Sequence, residues 1–342
     1  MSVSGTLPHS GPPWERAFEP AATEADILAC FRLLLGRNPN REEWPGHSAR
    51  AGEALPAVVS SYVNSLEFTR RRLQDPSSDT APAEIAEIEG VRLFASPDDL
   101  AVGKAVLSGR YEPEVVAVFR EVLRPGMRAL DIGANIGFFS MLAASLVGAA
   151  GSVLAFEPNP RNARMAEASR RLNGFEMVSI MQAAAGRVPG LLVLNTSFSN
   201  GTTSAIEGGS VLEAETVACL PVDLMALPGG RVDLIKIDVE GAEYNALLGA
   251  EGVIRRDRPV IVFEFGPGQL PGISGVTGPE LLQWLIGQGY GLEVVELQGP
   301  PTRHGADWAA IMAAYDRRGT DHIDVVARPA AVRRSWLRRW TG

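Results

Sequence analysis

Ala129-Leu130-Asp131-Ile132-Gly133-Ala134-Asn135-Ile136-Gly137 decides how this chain folds. The apolar run Arg128–Ile132 reads as a strand, and Phe138–Val147 carries apolar residues at helical spacing. Between them, Gly133 allows a tight turn and Gly137 a close approach of helix to strand. Ala134 is nearly as small as glycine, so backbone and ligand can still come close. A strand, a small-residue turn and a helix in that order are the setting of a nucleotide-binding loop.

The same alternation continues outward from this motif. Strands are read at Val153–Phe156, Val178–Gln182, Val232–Ile237, Val260–Phe263, Leu292–Leu297 and Ile323–Ala327. Helices are read at Pro160–Leu172, Ala242–Leu248 and Gly278–Ile286. Strands and helices taking turns predict an α/β fold, a doubly wound, mainly parallel sheet covered on both faces. Its ligand belongs beyond the carboxyl ends of the strands, where the strand order reverses.

This domain is placed at residues 91–327 and is preceded by a small all-α bundle at 23–74. The bundle opens at Thr23, a good N-cap with Asp26 three positions on, and Ile27, Phe31, Leu34 and Leu35 follow in helical register. Gly36-Arg37-Asn38-Pro39-Asn40 ends that helix. A second helix is expected near 41–51 and a third near 55–73. Residues 1–22, rich in Pro, Gly and Ser, read as a disordered leader without a signal-peptide core, and 75–90 as a linker. Residues 328–342 read as a basic amphipathic tail, with Arg328, Arg333, Arg334, Arg338 and Arg339 flanking Val332, Trp336, Leu337 and Trp340. Such a tail suits a weak, reversible contact with an anionic membrane surface or an acidic partner.

Composition narrows the function. The chain has 342 residues, with 46% hydrophobic, 21% charged and a net charge of −8, which disfavours a nucleic-acid partner. Cys30 and Cys219 lie far apart, so no disulfide framework is expected. His9, His47, His304 and His322 show no metal-ligand spacing, and no metal is assigned. No apolar run is long enough to span a bilayer, and a cytoplasmic protein is expected.

Two acids choose the cofactor. A dinucleotide would lay its pyrophosphate against the Gly133 loop beside Asp131, an unfavourable like-charge contact. S-adenosylmethionine carries an ammonium and a sulfonium instead, and a carboxylate attracts both. Glu157 ends the next strand, in Phe156-Glu157-Pro158-Asn159-Pro160, where it can accept hydrogen bonds from ribose hydroxyls. Glu157 alone fits NAD equally well; the pair with Asp131 favours the methyl donor. Gln182 and Ala183 end the following strand and suit a place beside adenine. The donor-binding set is therefore Asp131, Gly133, Ala134, Asn135, Gly137, Glu157, Pro158, Gln182, Ala183 and Asp238.

Val232-Asp233-Leu234-Ile235-Lys236-Ile237-Asp238-Val239-Glu240-Gly241-Ala242-Glu243 is the second informative stretch. Lys236 is one of only two lysines in the chain, and it sits in an apolar strand, where it needs a partner. Leu234, Lys236 and Asp238 share one face, and the partner is expected from Asp131, Glu240 or Glu264 on adjoining segments.

Here the chain resembles the FkbM family of methyltransferases. The matching motifs are Tyr111-Glu112-Pro113, Asp131 to Gly137, Phe156 to Pro160, Lys236 to Glu243, and Arg258-Pro259 to Glu264. The resemblance spans about 110–295 and implies a class I methyltransferase fold, S-adenosylmethionine as donor, and a hydroxyl acceptor on a polyketide, sugar or related metabolite. The helical segment at 23–74 resembles a small bacterial module beside sugar-active and cell-surface enzymes.

A hydroxyl attacking a sulfonium methyl must lose its proton, which calls for a general base. Asp238, Glu240 and Glu264 are the catalytic candidates at the strand ends, Asp238 nearer the methionine portion of the donor and Glu240 or Glu264 nearer the acceptor. His304 is an alternative base, and Asp238 with Glu264 would be the ligands of any assisting divalent metal. The polar stretch Asn195 to Ser204 is a candidate acceptor wall. Two other functions compete: a non-catalytic binding or scaffolding protein that keeps the cofactor fold, and an NAD-dependent oxidoreductase. Asp131 and the lack of a Tyr-xxx-Lys pair disfavour the latter.

Overall fold

A computed structural model of the chain describes residues 19–35, 37–65, 67–68, 83–195, 202–204, 215–225 and 230–330. The chain divides into two compact units, residues 1–81 and 82–342.

In the first unit, α1 (Glu24–Ala29) starts in a reciprocal capping box. The Asp26 N–H donates to Thr23 Oγ1 at 3.2 Å, and the Thr23 N–H donates to the Asp26 carboxylate at 2.9 Å. The helix passes into a π-turn at Cys30–Leu34. Two further helices, α2 (Trp44–Ser48) and α3 (Leu55–Val63), complete the packing, with Ile27, Phe31, Val58 and Tyr62 buried between them. Both are shorter than the sequence pattern suggests. At the end of α3 the Ser65 hydroxyl donates to the Tyr62 carbonyl and accepts from the Phe68 N–H, local bonds that compete with helix continuation. Of the segments read as leader and linker, 1–18 and 75–82 lie outside the described residues.

The second unit opens on an antiparallel hairpin, β1 (Glu84–Ile88) and β2 (Val91–Ala95), whose first strand lies inside the stretch read as linker. Ala86 and Ile88 alternate inward, which is enough to seat the strand. Short helices α4 (Gly103–Leu107) and α5 (Pro113–Val122) lead to β3 (Arg128–Ile132), α6 (Phe138–Val147), β4 (Ser152–Phe156), α7 (Pro160–Asn173) and β5 (Val178–Met181). Four strands not foreseen follow: β6 (Ala184–Ala185), β7 (Gly190–Asn195), β8 (Thr202–Ser204) and β9 (Thr216–Leu220). They form a separate small sheet in the order β6-β9-β7-β8. The chain continues through α8 (Val222–Met225), β10 (Leu234–Ile237), α9 (Glu243–Gly249), α10 (Glu251–Asp257) and β11 (Val260–Phe265). It closes with α11 (Leu270–Ile273), α12 (Gly278–Gly287), β12 (Tyr290–Val294), β13 (Thr302–Gly305), α13 (Trp308–Arg318) and β14 (Ile323–Pro329).

The main sheet has eight strands in the order β13-β12-β14-β11-β10-β3-β4-β5. The five strands from β11 to β5 are parallel. β14 runs antiparallel between β11 and β12, and β13 pairs antiparallel at the edge. This is the doubly wound, mainly parallel class I methyltransferase-like sheet the sequence predicts. The order reverses at β3, which has β4 on one side and β10 on the other, so the ligand crevice lies past the ends of β3 and β10.

Strand alternation feeds two cores. Leu130, Ile132, Ile235, Ile237, Ile261 and Phe263 face one side, whereas Ala129, Leu234, Val262 and Val326 face the side covered by α5 and α6. On that second face the apolar pattern gives way to Asp131, Lys236, Glu264 and Asp324. Lys236 stands opposite Asp131, and Glu264 opposite Asp324.

β14 extends to Pro329, so Arg328, read as the first tail residue, is a strand residue held at 2.9 Å by both Glu293 and Glu121. Residues 331–342 of the tail lie outside the described residues. His304, the alternative base, lies on edge strand β13. Cys30 and Cys219 are free and buried. Among the described residues no helix is long and apolar enough to cross a membrane.

Candidate functional site

The turn after β3 is shaped by its neighbours. Gly133 has φ +85°, and a Cβ there would overlap the carbonyl oxygen of Asp238. The glycine thus lets the chain leaving β3 lie against the chain leaving β10. Gly137, at φ +91°, meets Ala166 of α7, so its absent side chain admits a helix–helix contact. Between them Asn135 takes a left-handed φ of 51°, which aims its N–H at Glu157 Oε2, 2.7 Å away. The Asn159 N–H donates to the other oxygen of Glu157 at 2.8 Å. Two backbone donors therefore fix the carboxylate that ends β4. Burial pushes Glu157 up to about 7 against those two N–H groups, with Asp131 and Asp238 adding to the rise.

A cavity of about 230 Å³ opens beyond these strand ends. Of the expected residues, Gly133, Asn135, Glu157, Pro158, Ala183, Asp238, Glu240 and Glu264 line it together. Asp131, Ala134, Gly137 and Gln182 are not among its lining residues. Asp131 is buried behind the wall, where Oδ2 accepts the Ser140 hydroxyl at 2.6 Å and Oδ1 has no partner. Gln182 is exposed. His304 is also not among the lining residues.

Lys236 is 5% exposed, and its Nζ donates to Asp238 Oδ2 at 2.9 Å while lying 4.8 Å over the Phe139 ring. Its ion-pair partner is Asp238, two residues along the same strand face, and not Asp131, Glu240 or Glu264 as expected. Burial alone would lower the ammonium pKa; Asp238, Asp131 and Glu112 outweigh it and hold the group charged.

The loop after β10 is tied by Glu243, whose Oε1 accepts the N–H groups of Val239 at 3.2 Å and Gly241 at 3.0 Å. Glu240, at φ 53°, turns within this loop. Oxygens of Asp238, Glu240 and Glu264 lie within 4.8 Å of one another, close enough to share one cationic group. Burial, then Asp238, Glu240, Glu243 and Asp324, push Glu264 far above the ordinary carboxylate range.

Several lining residues were not assigned a role from the sequence: Tyr111, Glu112, Asp321 and His322. Thr203, from the stretch read as a candidate acceptor wall, lines the cavity too, while residues 196–201 of that stretch lie outside the described residues. Tyr111 and Glu112 arrive from the start of α5, whose motif the family resemblance had marked. His322 stands 3.0 Å from Asp321 and 4.0 Å from Glu264. The wall carries six carboxylates (Glu112, Glu157, Asp238, Glu240, Glu264 and Asp321) and, among the described lining residues, no lysine or arginine.

Fold and site together define a doubly wound α/β protein with an acidic crevice at its switch point. Residues 131–292 match the methyltransferase FkbM domain. No curated protein matches the chain. Among solved structures it is similar to methyltransferase FkbM from Methylobacillus flagellatus, at 15% identity and TM-score 0.38, covering 62% of this chain and 50% of that one. It thus spans half the length of that protein. It is also similar to a precorrin-6y C5,15-methyltransferase from Geobacter metallireducens, at 15% identity and TM-score 0.38, covering 70% and 94%. A SAM-dependent O-methyltransferase from Thermotoga maritima shares 16% identity at TM-score 0.37, covering 65% and 67%.

Proposed function

We propose that this protein is an S-adenosylmethionine-dependent methyltransferase that methylates a hydroxyl oxygen of a sugar, polyketide or related metabolite. The observation that carries the reading is the charge of the cavity wall: six carboxylates and, among the described lining residues, no lysine or arginine to meet a pyrophosphate. Such a wall fits a phosphate-free, doubly cationic ligand and repels NAD.

The donor set fits in detail. Each Glu157 oxygen already takes one backbone N–H and keeps a lone pair for a ribose hydroxyl. Pro158 and Ala183 offer a small apolar wall for the adenine. Asp238 and Glu240 suit the ammonium and the sulfonium side, with Glu264 beside them. Asp131 acts from behind, through the field it shares with Lys236, rather than by contact. When bound, the donor supplies an electrophilic methyl carbon. The chain holds donor and acceptor in line, keeps water out of the buried side of the crevice, and removes the acceptor proton. Glu264 keeps its own proton at neutral pH, which suits it to donating a hydrogen bond and not to serving as base.

Calorimetry and thermal shift with S-adenosylmethionine, its demethylated product and NAD test the reading. Binding and stabilisation by the first two support it. Stabilisation by NAD alone overturns it. Incorporation of labelled methyl into an extract from a strain lacking the gene then separates an enzyme from a scaffold.

A further inference from the structure

Resting on that reading, we propose that Glu112 is the catalytic base, taking the acceptor hydroxyl's proton, and that Tyr111 positions it. Glu112 is the residue preceding Pro113 at the start of α5, and its φ of 41° is a conformation non-glycine residues rarely adopt. A glutamate at that place could cap its own helix; this one makes no side-chain capping bond. Glu112 lines the cavity beside Tyr111. Local strain of this kind persists where a side chain is held for a task. Tyr111 is in turn wedged edge-on against Phe138, 5.5 Å between ring centres, which holds its ring at the cavity wall next to Glu112.

Three of the five other lining carboxylates are committed elsewhere. Asp238 is paired with Lys236. Glu157 is held by two backbone N–H groups at the ribose end. Glu264 retains its proton. Glu112 faces Tyr111, Lys236, Asp238 and Asp324. Burial lifts its carboxyl to about 7, with Lys236 opposing and Asp238 and Asp324 adding to the rise. A base that loses its proton near neutrality is matched to an alcohol at working pH. In the step itself, the acceptor oxygen forms the new C–O bond to the methyl carbon. The C–S bond breaks with its electron pair going to sulfur, and the hydroxyl proton passes to the Glu112 carboxylate.

The test compares wild type with Glu112→Gln, Glu112→Asp and Tyr111→Phe. Methyl transfer is read from labelled S-adenosylmethionine into extract of the deletion strain, over pH 5.5–9, with donor affinity by calorimetry. Glu112→Gln should lose about 10²-fold or more in turnover, the usual range for a general base, and lose the acid limb of the pH profile. Donor affinity should stay within about threefold, Glu112→Asp should recover part of the rate, and Tyr111→Phe should shift the limb. Infrared titration of the protein bound to the demethylated product gives a readout free of any acceptor: the carboxyl absorption titrating near neutrality, to which Glu157 and Glu243 also contribute, should lose one carboxyl's share in Glu112→Gln. Retained turnover, loss of donor affinity in step with turnover, or no change in the infrared titration overturns the proposal. Failure of wild type to bind the donor would instead sink the methyltransferase reading itself.

Discussion

Lys236 Nζ lies 2.9 Å from Asp238 Oδ2, and in the sheet Lys236 stands directly opposite Asp131. One ammonium thus serves two carboxylates at the point where β3 and β10 separate, and it also attracts Glu112 from α5. The crevice gathers acids for a cationic ligand, and this lysine places one buried positive charge among them.

The first prediction follows from that pairing. Lys236→Met fills the space but leaves Asp131 and Asp238 without their cation. Removing one partner of a buried ion pair costs about 3–5 kcal/mol. Denaturant unfolding should show a loss on that scale, and a variant as stable as wild type would show that the lysine is dispensable.

Much of this site was legible from the chain. The turn from Gly133 to Gly137, Glu157 and the acids Asp238, Glu240 and Glu264 follow from where strands end, a local property. The partner of Lys236 was misassigned although Asp238 had been placed on the same face; the neighbouring strands were favoured over the next residue along. Tyr111 and Glu112 carried only a motif match, because α5 covers the crevice through a long-range contact that no spacing encodes. Asp321 and His322 reach it because β14 returns antiparallel beside β11, an insertion the alternating pattern does not reveal. The small sheet of β6 to β9 escaped although β7 and β9 are as long as strands of the main sheet, because they pair antiparallel outside the strand–helix alternation.

The second prediction concerns Glu157. Its carboxylate is preset by Asn135 and Asn159, so Glu157→Ala removes the ribose acceptor without adding bulk. Donor affinity should fall by about 1.5–3 kcal/mol, the scale of hydrogen bonds to a charged group. Calorimetry at fixed pH checks it, and an unchanged Kd would place the ribose elsewhere.

The third prediction concerns Gly133. An alanine there must adopt a left-handed backbone, costing roughly 1–2 kcal/mol, and its Cβ would overlap the Asp238 carbonyl. Gly133→Ala should push the β3 and β10 ends apart, lowering both melting temperature and donor affinity. Gly174→Ala is the control. Its φ of +67° and ψ of 28° are left-handed too, but a Cβ there meets nothing within 4 Å. It should lose some stability and keep donor binding. Equal effects of the two on donor affinity would refute the close-approach argument.

The last prediction is a pH dependence with its sign fixed by Glu243. The residue is 1% exposed; Oε1 accepts two backbone N–H bonds and Oε2 has no partner. Burial outweighs those bonds and raises its carboxyl from the ordinary 4.5 to about 7. Between those values the folded chain keeps a proton that the unfolded chain has released. The native state therefore binds more protons, and stability falls as pH rises through this window. Glu243→Gln keeps an acceptor oxygen for Val239 and Gly241 and cannot titrate. Relative to wild type, the variant should gain ground from pH 4.5 to 7, by up to about 1.4 kcal/mol per pH unit. Below pH 4.5 the two curves should run parallel. Urea unfolding of both proteins at half-unit steps measures the difference directly. A wild-type curve that instead rises relative to the variant over this window would mean that Glu243 is ionised in the fold, stabilised by the loop N–H groups beyond the cost of its burial.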